Sequence, residues 1–135
     1  MNATQKTLLK LALKSNPYLK SLLKTLLSYG GDVACLWKPN PIPNKSFVKQ
    51  LLSYAQIKNG RKAKLIKMEA NNCHGNSYAM SQKKGMVWMT GYALSSDGVW
   101  RPHSWCWDSN KNQNIETTVR RVKYFGVPVH VAGIV

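Results

Sequence analysis

Leucine spacing dominates the start of the chain. Residues 4–15, TQKTLLKLALKS, are mostly good helix formers. Lys6, Lys10 and Lys14 recur every four residues, which sets them along one side of a helix. Asn16-Pro17 reads as an N-cap followed by proline at the first helical position, so a second helix is expected to start there. Leu19, Leu22, Leu23, Leu26 and Leu27 continue it in an i, i+3, i+4, i+7, i+8 pattern, and Tyr29-Gly30-Gly31 ends it. The pattern predicts a core-facing leucine stripe beneath solvated lysines. The competing reading of these helices is a surface element for a membrane or an acidic partner.

Val33-Ala34-Cys35-Leu36-Trp37 predicts a short buried strand. Three prolines between Lys38 and Asn44 exclude regular structure and predict a loop. Ser46 is expected to cap a helix running to about Gln56, with Phe47, Leu51 and Tyr54 or Ala55 facing inward. Lys58-Asn59-Gly60-Arg61 reads as a turn, and Ala63 to Met68 as a strand or a helix start. From Met86 onward the period shortens to two. Met86–Leu94 and Val99–Trp107 form strands, joined by the hairpin turn Ser95-Ser96-Asp97-Gly98. Asp108 to Asn114 is a polar turn and Ile115–Thr118 a third strand. His130, among Val127, Val129 and Val131, is expected on a strand surface or at the terminus. Helices first and an antiparallel sheet of at least three strands afterwards predict an α+β fold, with no repeat or linker dividing residues 1–135, hence a single domain.

Composition narrows the partners. The chain has 135 residues and is 44% apolar, enough for a packed core and too much for a disordered chain. No apolar run approaches the roughly 18–20 residues of a spanning helix. Lys+Arg number 20 and Asp+Glu 5, a formal net charge of +15. Residues 1–31 carry five lysines and no carboxylate, and residues 33–68 eight further bases and no carboxylate. Such a surface suits nucleic acid or an acidic protein, yet no zinc finger or RNP-type stretch accompanies it. No P-loop, dinucleotide fingerprint or EF-hand loop is present, and no cofactor is expected. Three cysteines cannot all pair. Lys10 and Lys14 interrupt the apolar start, so no secretory signal is read, and a cytoplasmic protein with reduced thiols is expected.

The segment Ala70-Asn71-Asn72-Cys73-His74-Gly75-Asn76 carries the candidate chemistry. Asn72 is a good N-cap residue, which puts Cys73 at the first position of a helix. A thiol there meets unpaired N–H groups and the positive end of the helix dipole, and both favour the thiolate. His103, on the second strand of the hairpin, and Glu116, on the next strand, can meet on one face of the sheet. Glu116 would then orient the imidazole while its other nitrogen serves Cys73, the nucleophile–base–orienter logic of a triad. Each piece also has a plain structural explanation: a small buried thiol, a core imidazole, and a carboxylate balancing Arg120.

The order of these parts resembles the transglutaminase-like branch of the papain-like thiol enzymes. A Cys opens a helix; His103 follows 30 residues later in His103-Ser104-Trp105, and Glu116 a further 13 on, in Ile115-Glu116-Thr117-Thr118. Gly91-Tyr92-Ala93-Leu94 resembles the family's glycine-aromatic strand. Glu116 stands where the family carries Asp, and no proline follows it. The resemblance covers about residues 70–120. It implies a compact papain-like core and acyl transfer from a peptide or protein carboxamide: proteolysis, deamidation or transamidation. The oxyanion would be held by the Cys73 N–H with an Asn71 or Asn72 amide, or with the Trp37 indole, which is otherwise ordinary core. Asn76, one helical turn after Cys73, either lines the same mouth or faces solvent. Trp105 shares the His103 face and is either a substrate wall or core.

Two other readings remain. Zinc could use Cys73, His74, His103 and Cys106, but strand alternation sends His103 and Cys106 to opposite faces, and no metal site is expected. The alternative function is a small basic binding protein for nucleic acid or an acidic partner, of the kind found as phage or mobile-element accessories.

Overall fold

The computed structural model describes residues 2–37 and 43–133. Helix α1 (Ala3–Ser15) starts at Asn2, whose side chain accepts from the Gln5 N–H while the Gln5 side chain accepts from the Asn2 N–H. This reciprocal pair satisfies two of the donors that a helix start leaves over. Asn16 does not cap the second helix as expected. It closes the first, with both its N–H and its side-chain amide donating to the Ala12 carbonyl. Helix α2 (Leu19–Ser28) follows one turn later and buries Leu19, Leu22 and Leu26 completely, the stripe its spacing predicts.

Strand β1 is short (Val33–Ala34). The proline-rich stretch expected as a loop falls mostly outside the described residues. Helix α3 (Lys45–Tyr54) is capped by Asn44, which accepts from the Phe47 N–H, and not by Ser46. Its buried face is Val48 and Leu51. Phe47 and Ala55, the latter just beyond the helix, pack partly buried against the same core as expected, and Tyr54 is exposed. Where a turn was expected at Lys58–Arg61, strand β2 (Gln56–Asn59) runs first, and a 3-10 turn at Gly60–Lys62 follows. Strand β3 is Lys64–Leu65 and helix α4 Cys73–Ser81.

The hairpin forms as its pattern predicts, from β4 (Met86–Leu94) and β5 (Val99–Asp108). Strand β6 is Gln113–Glu116, starting and ending two residues earlier than expected. Strand β7 (Lys123–Pro128) was not expected, and His130 lies in the terminal helical turn α5 (Val129–Ala132), not on a strand. The chain is therefore α+β, built on a mixed sheet in the order β2-β7-β4-β5-β6-β3, with β1 added parallel to β5.

Chain connectivity curls this sheet. The two outermost strands, β2 and β3, are separated only by the Gly60–Lys62 turn and Ala63. At most about 3.5 Å per residue keeps the sheet's two ends within roughly 18 Å. The turn also packs tightly: the Gly60 N–H donates to the Val122 carbonyl, and a Cβ on Gly60 would lie 1.9 Å from the Arg121 carbonyl.

The two faces of the sheet have different jobs. Tyr92, Leu94, Trp100, Phe125 and Val127 face the leucines of α1 and α2 and the buried side of α3, forming the larger core. Farther along this face α4 packs through Met80 against Cys106 and Ile115. The inner, concave face carries Ala93, His103, Trp105, Tyr124 and Gly126, which the strand register sets side by side. No described helix is long and apolar enough to cross a membrane.

Candidate active site

Strand β5 offers an opening. One edge pairs with β4 along its whole length. The other pairs with β1 at Val99 and Trp100 and with β6 from Cys106 to Asp108. Between those two neighbours, residues 101–105 of this edge have no strand partner among the described residues. Helix α4 presents its first residue there. The half-buried Cys73 thiol pairs with the His103 side chain and accepts from the Ser104 N–H.

His103 is held from behind. Its Nε2 lies 2.7 Å from Glu116 Oε1, and both side chains are almost fully buried. With Nε2 engaged, Nδ1 is the nitrogen left for the sulfur. The ring stacks on Trp105, with centroids 5.9 Å apart and planes 23° apart. Glu116 is saturated with donors. Oε1 also accepts from Tyr124 O–H at 2.8 Å, and Oε2 accepts from the Thr118 N–H at 3.0 Å and its hydroxyl at 2.9 Å. Arg121 Nε stands 3.8 Å from Oε1. The expected counter-ion, Arg120, instead donates to the Ala63 carbonyl.

The electrostatics follow from these contacts. Burial alone would raise the Cys73 thiol, but the His103 imidazole, the Ser104 N–H and the Arg121 charge together hold it below its ordinary value. Burial would lower His103, but Cys73 and Glu116 outweigh it and keep the imidazole above its ordinary value. Burial would raise Glu116, and His103, the Thr118 N–H and Tyr124 bring it below the usual carboxylate range. All three shifts favour the charged forms: thiolate, imidazolium and carboxylate in a row. Cys106 is the contrast. Buried under α4, its thiol donating to the Ser77 carbonyl, it is pushed up to about 12.

The supporting residues are placed less as expected. Asn72 does precede the helix, but its side chain makes no cap bond. Its amide turns toward Glu69 Oε2 and Asn76 Oδ1, which commits it to the loop and not to an oxyanion. Asn71 is exposed, in the left-handed region at φ 57°, and forms the bend into the helix. Asn76 neither lines a mouth nor faces solvent. It is buried, and its amide donates to the Glu69 carbonyl at 2.7 Å, pinning the loop before Cys73 to the helix after it. Trp37 packs half-buried against the larger core, and no contact between it and Cys73 is among those described. Trp105 is 1% exposed: core on the side that meets His103 and Tyr124, and cavity floor on another. The Cys73 N–H, in the first turn of α4, has no acceptor within the helix and is placed to meet an oxyanion.

Sequence reasoning missed Thr118, Arg121 and Tyr124. Thr118 carried a faint signal, a hydroxyl two residues past the acid. Tyr124 and Arg121 carried none, because the strand that brings Tyr124 in was not recognised. His74 Nδ1 lies 3.1 Å from Ser104 Oγ and its ring rests on Trp88, so it steadies α4 on the sheet. No three His, Cys, Asp or Glu side chains among the described residues converge to hold a metal ion. Comparisons with protein-family models, with curated proteins and with solved structures give no match to this chain.

Proposed function

We propose that this protein is a thiol-dependent acyl-transfer enzyme acting on carboxamides, with Cys73 as nucleophile, His103 as proton carrier and Glu116 as orienter. The observation that supports it most is one chain of contacts: the Cys73 sulfur on His103, His103 Nε2 on Glu116, and Glu116 fixed by Tyr124 and Thr118. The thiolate attacks the carbonyl carbon. The oxyanion that forms is met by the Cys73 N–H, and imidazolium His103 gives its proton to the departing amine, leaving a thioester. Water then attacks the thioester, His103 takes its proton, and the sulfur leaves as thiolate. An amine in place of water gives transamidation. Hydrolysis needs no second substrate site and is the simpler outcome. In this reading the core is papain-like and the order of parts follows the transglutaminase-like branch.

Iodoacetamide alkylation of the whole chain, followed by mass spectrometry across pH, tests the assignment. Cys73 is expected to react first, with a midpoint well below the ordinary thiol value of about 8.5. His103→Ala is expected to move that midpoint back. A Cys73 that titrates as an ordinary thiol, or a His103→Ala variant with an unchanged profile, defeats the proposal.

A further inference from the structure

The concave face of the sheet is filled at one end and open at the other. His103, Tyr124 and Trp105 pack the filled end. Beyond Trp105 the register continues on the same face through Met89 to Val87 on β4, to Trp107 on β5 and to Asn114 on β6. Those residues line a cavity of about 330 Å³, with Trp105 as its floor. A second chamber of about 470 Å³ adjoins it and shares Lys58, Trp107 and Asn114. Mouths of curled and barrel-like sheets are common places for small ligands, and this volume is in the usual range.

The chemistry of the mouth is specific. Lys58 Nζ sits 5.2 Å from the centroid of the Trp107 ring, a cation held over an indole face. Lys62 adds a second ammonium group in the adjoining chamber. No carboxylate lines either chamber, and neither lysine has a carboxylate partner among the described residues. The Trp105 indole N–H is buried without an acceptor among the described residues. Val87, Met89, Trp107 and Pro128 give the first chamber apolar walls, and Asn59, Asn112, Gln113 and Asn114 line the second with amides.

We propose that this mouth binds a small, flat organic anion, an aromatic carboxylate in chemical class. Its ring lies against the half-buried Trp107 wall, and its carboxylate meets Lys58. The assignment does not depend on the acyl-transfer reading, because Cys73 lines neither chamber.

The test is calorimetric titration of the full chain with 2-naphthoate and with its uncharged isostere, 2-naphthamide. Naphthoate is expected to bind at least about tenfold more tightly. Lys58→Met is expected to remove most of that difference. Asn114→Asp, which keeps the volume and adds a negative charge, is expected to weaken naphthoate by about tenfold, so the test does not rest on one variant. The Trp105 and Trp107 indole N–H resonances are expected to shift on binding, and Cys73→Ala to bind as the wild type does. Equal affinity for the two probes, indifference to both substitutions, or indole resonances that stay put would overturn the proposal.

Discussion

Glu116 is the most heavily hydrogen-bonded side chain among the described residues. It is 1% exposed, and its two oxygens take four donors, with the Arg121 guanidinium alongside. Its carboxylate is held below the usual range, so its share of stability is present above that range and is lost as the pH falls toward the folded value. His103 is shifted the other way. Its share is full below the ordinary imidazole value and is lost as the pH rises through the higher folded value. Replacing Glu116 by Gln removes the charge, turns an amide N–H₂ toward hydrogen-bond donors and leaves His103 unsupported. The expected cost is about 3–5 kcal/mol at neutral pH by urea unfolding. The variant's stability is expected to be flatter than the wild type's on the acid side, and its Cys73 alkylation midpoint higher. Equal acid slopes for the two proteins would contradict the role given to this carboxylate.

Among the elements, small local rules settle the boundaries. Asn44 and Ser46 are both polar residues at the start of α3; Asn44 accepts from the Phe47 N–H, whereas Ser46 is already the second helical residue. Asn44→Ala is expected to lower stability by about 1 kcal/mol, and Ser46→Ala by less than about 0.5 kcal/mol, both read from urea midpoints. On β7, Gly126 lies directly under the Trp105 ring. A Cβ there would come 2.5 Å from the ring and 2.5 Å from the Thr90 carbonyl. Gly126→Val is therefore expected to cost about 3 kcal/mol and to change the near-ultraviolet dichroism of the tryptophans. An unchanged spectrum would mean that the indole does not rest on this strand.

The same scale shows what was legible. Helices α1 and α2 carry strong periodic patterns because each has one wet and one buried face, and the β4–β5 hairpin is marked by its long β-prone runs around an Asp-Gly turn. Strand β2 does not. It is an edge strand, mostly exposed, and its pairing with β7 rests on backbone bonds that leave no mark in side-chain alternation. Strand β7 is buried along its centre, Tyr124 to Val127, so its residues look like a tail and not like an alternating strand. The pair Asn16-Pro17 showed a helix junction but not which helix the Asn would serve. Its side-chain amide turns back to the Ala12 carbonyl at the end of the first helix.

For the molecule as a whole, charge is the outstanding quantity. The five acids must balance 20 bases, and Asp108 and Glu116 are buried, so the surface carries cations almost unopposed. Asp97 is already paired with Arg101, an exposed contact worth little. A phosphate-rich polymer is accordingly expected to bind, loosely and without sequence preference. Duplex DNA affinity, measured in a salt series, is expected to fall with a slope of about −0.9 per contacted phosphate on logarithmic axes, and to be the same for Cys73→Ala. A flat salt dependence would exclude a charge-driven mode and leave the concave face as the binding surface to pursue.

Local order along the chain was enough to identify the α+β class, the leucine stripe, the hairpin, and Cys73, His103 and Glu116 as the side chains to watch. Those features depend on neighbours in sequence or on strand parity, and both are written in residue order. The gap in the outer edge of β5, the donors around Glu116 from β7 and the 118–121 segment, the burial of Asn76 and the open mouth beyond Trp105 were decided by folding. Each arises where segments distant along the chain are pressed together, and such contacts depend on how the sheet curls, which no local period encodes.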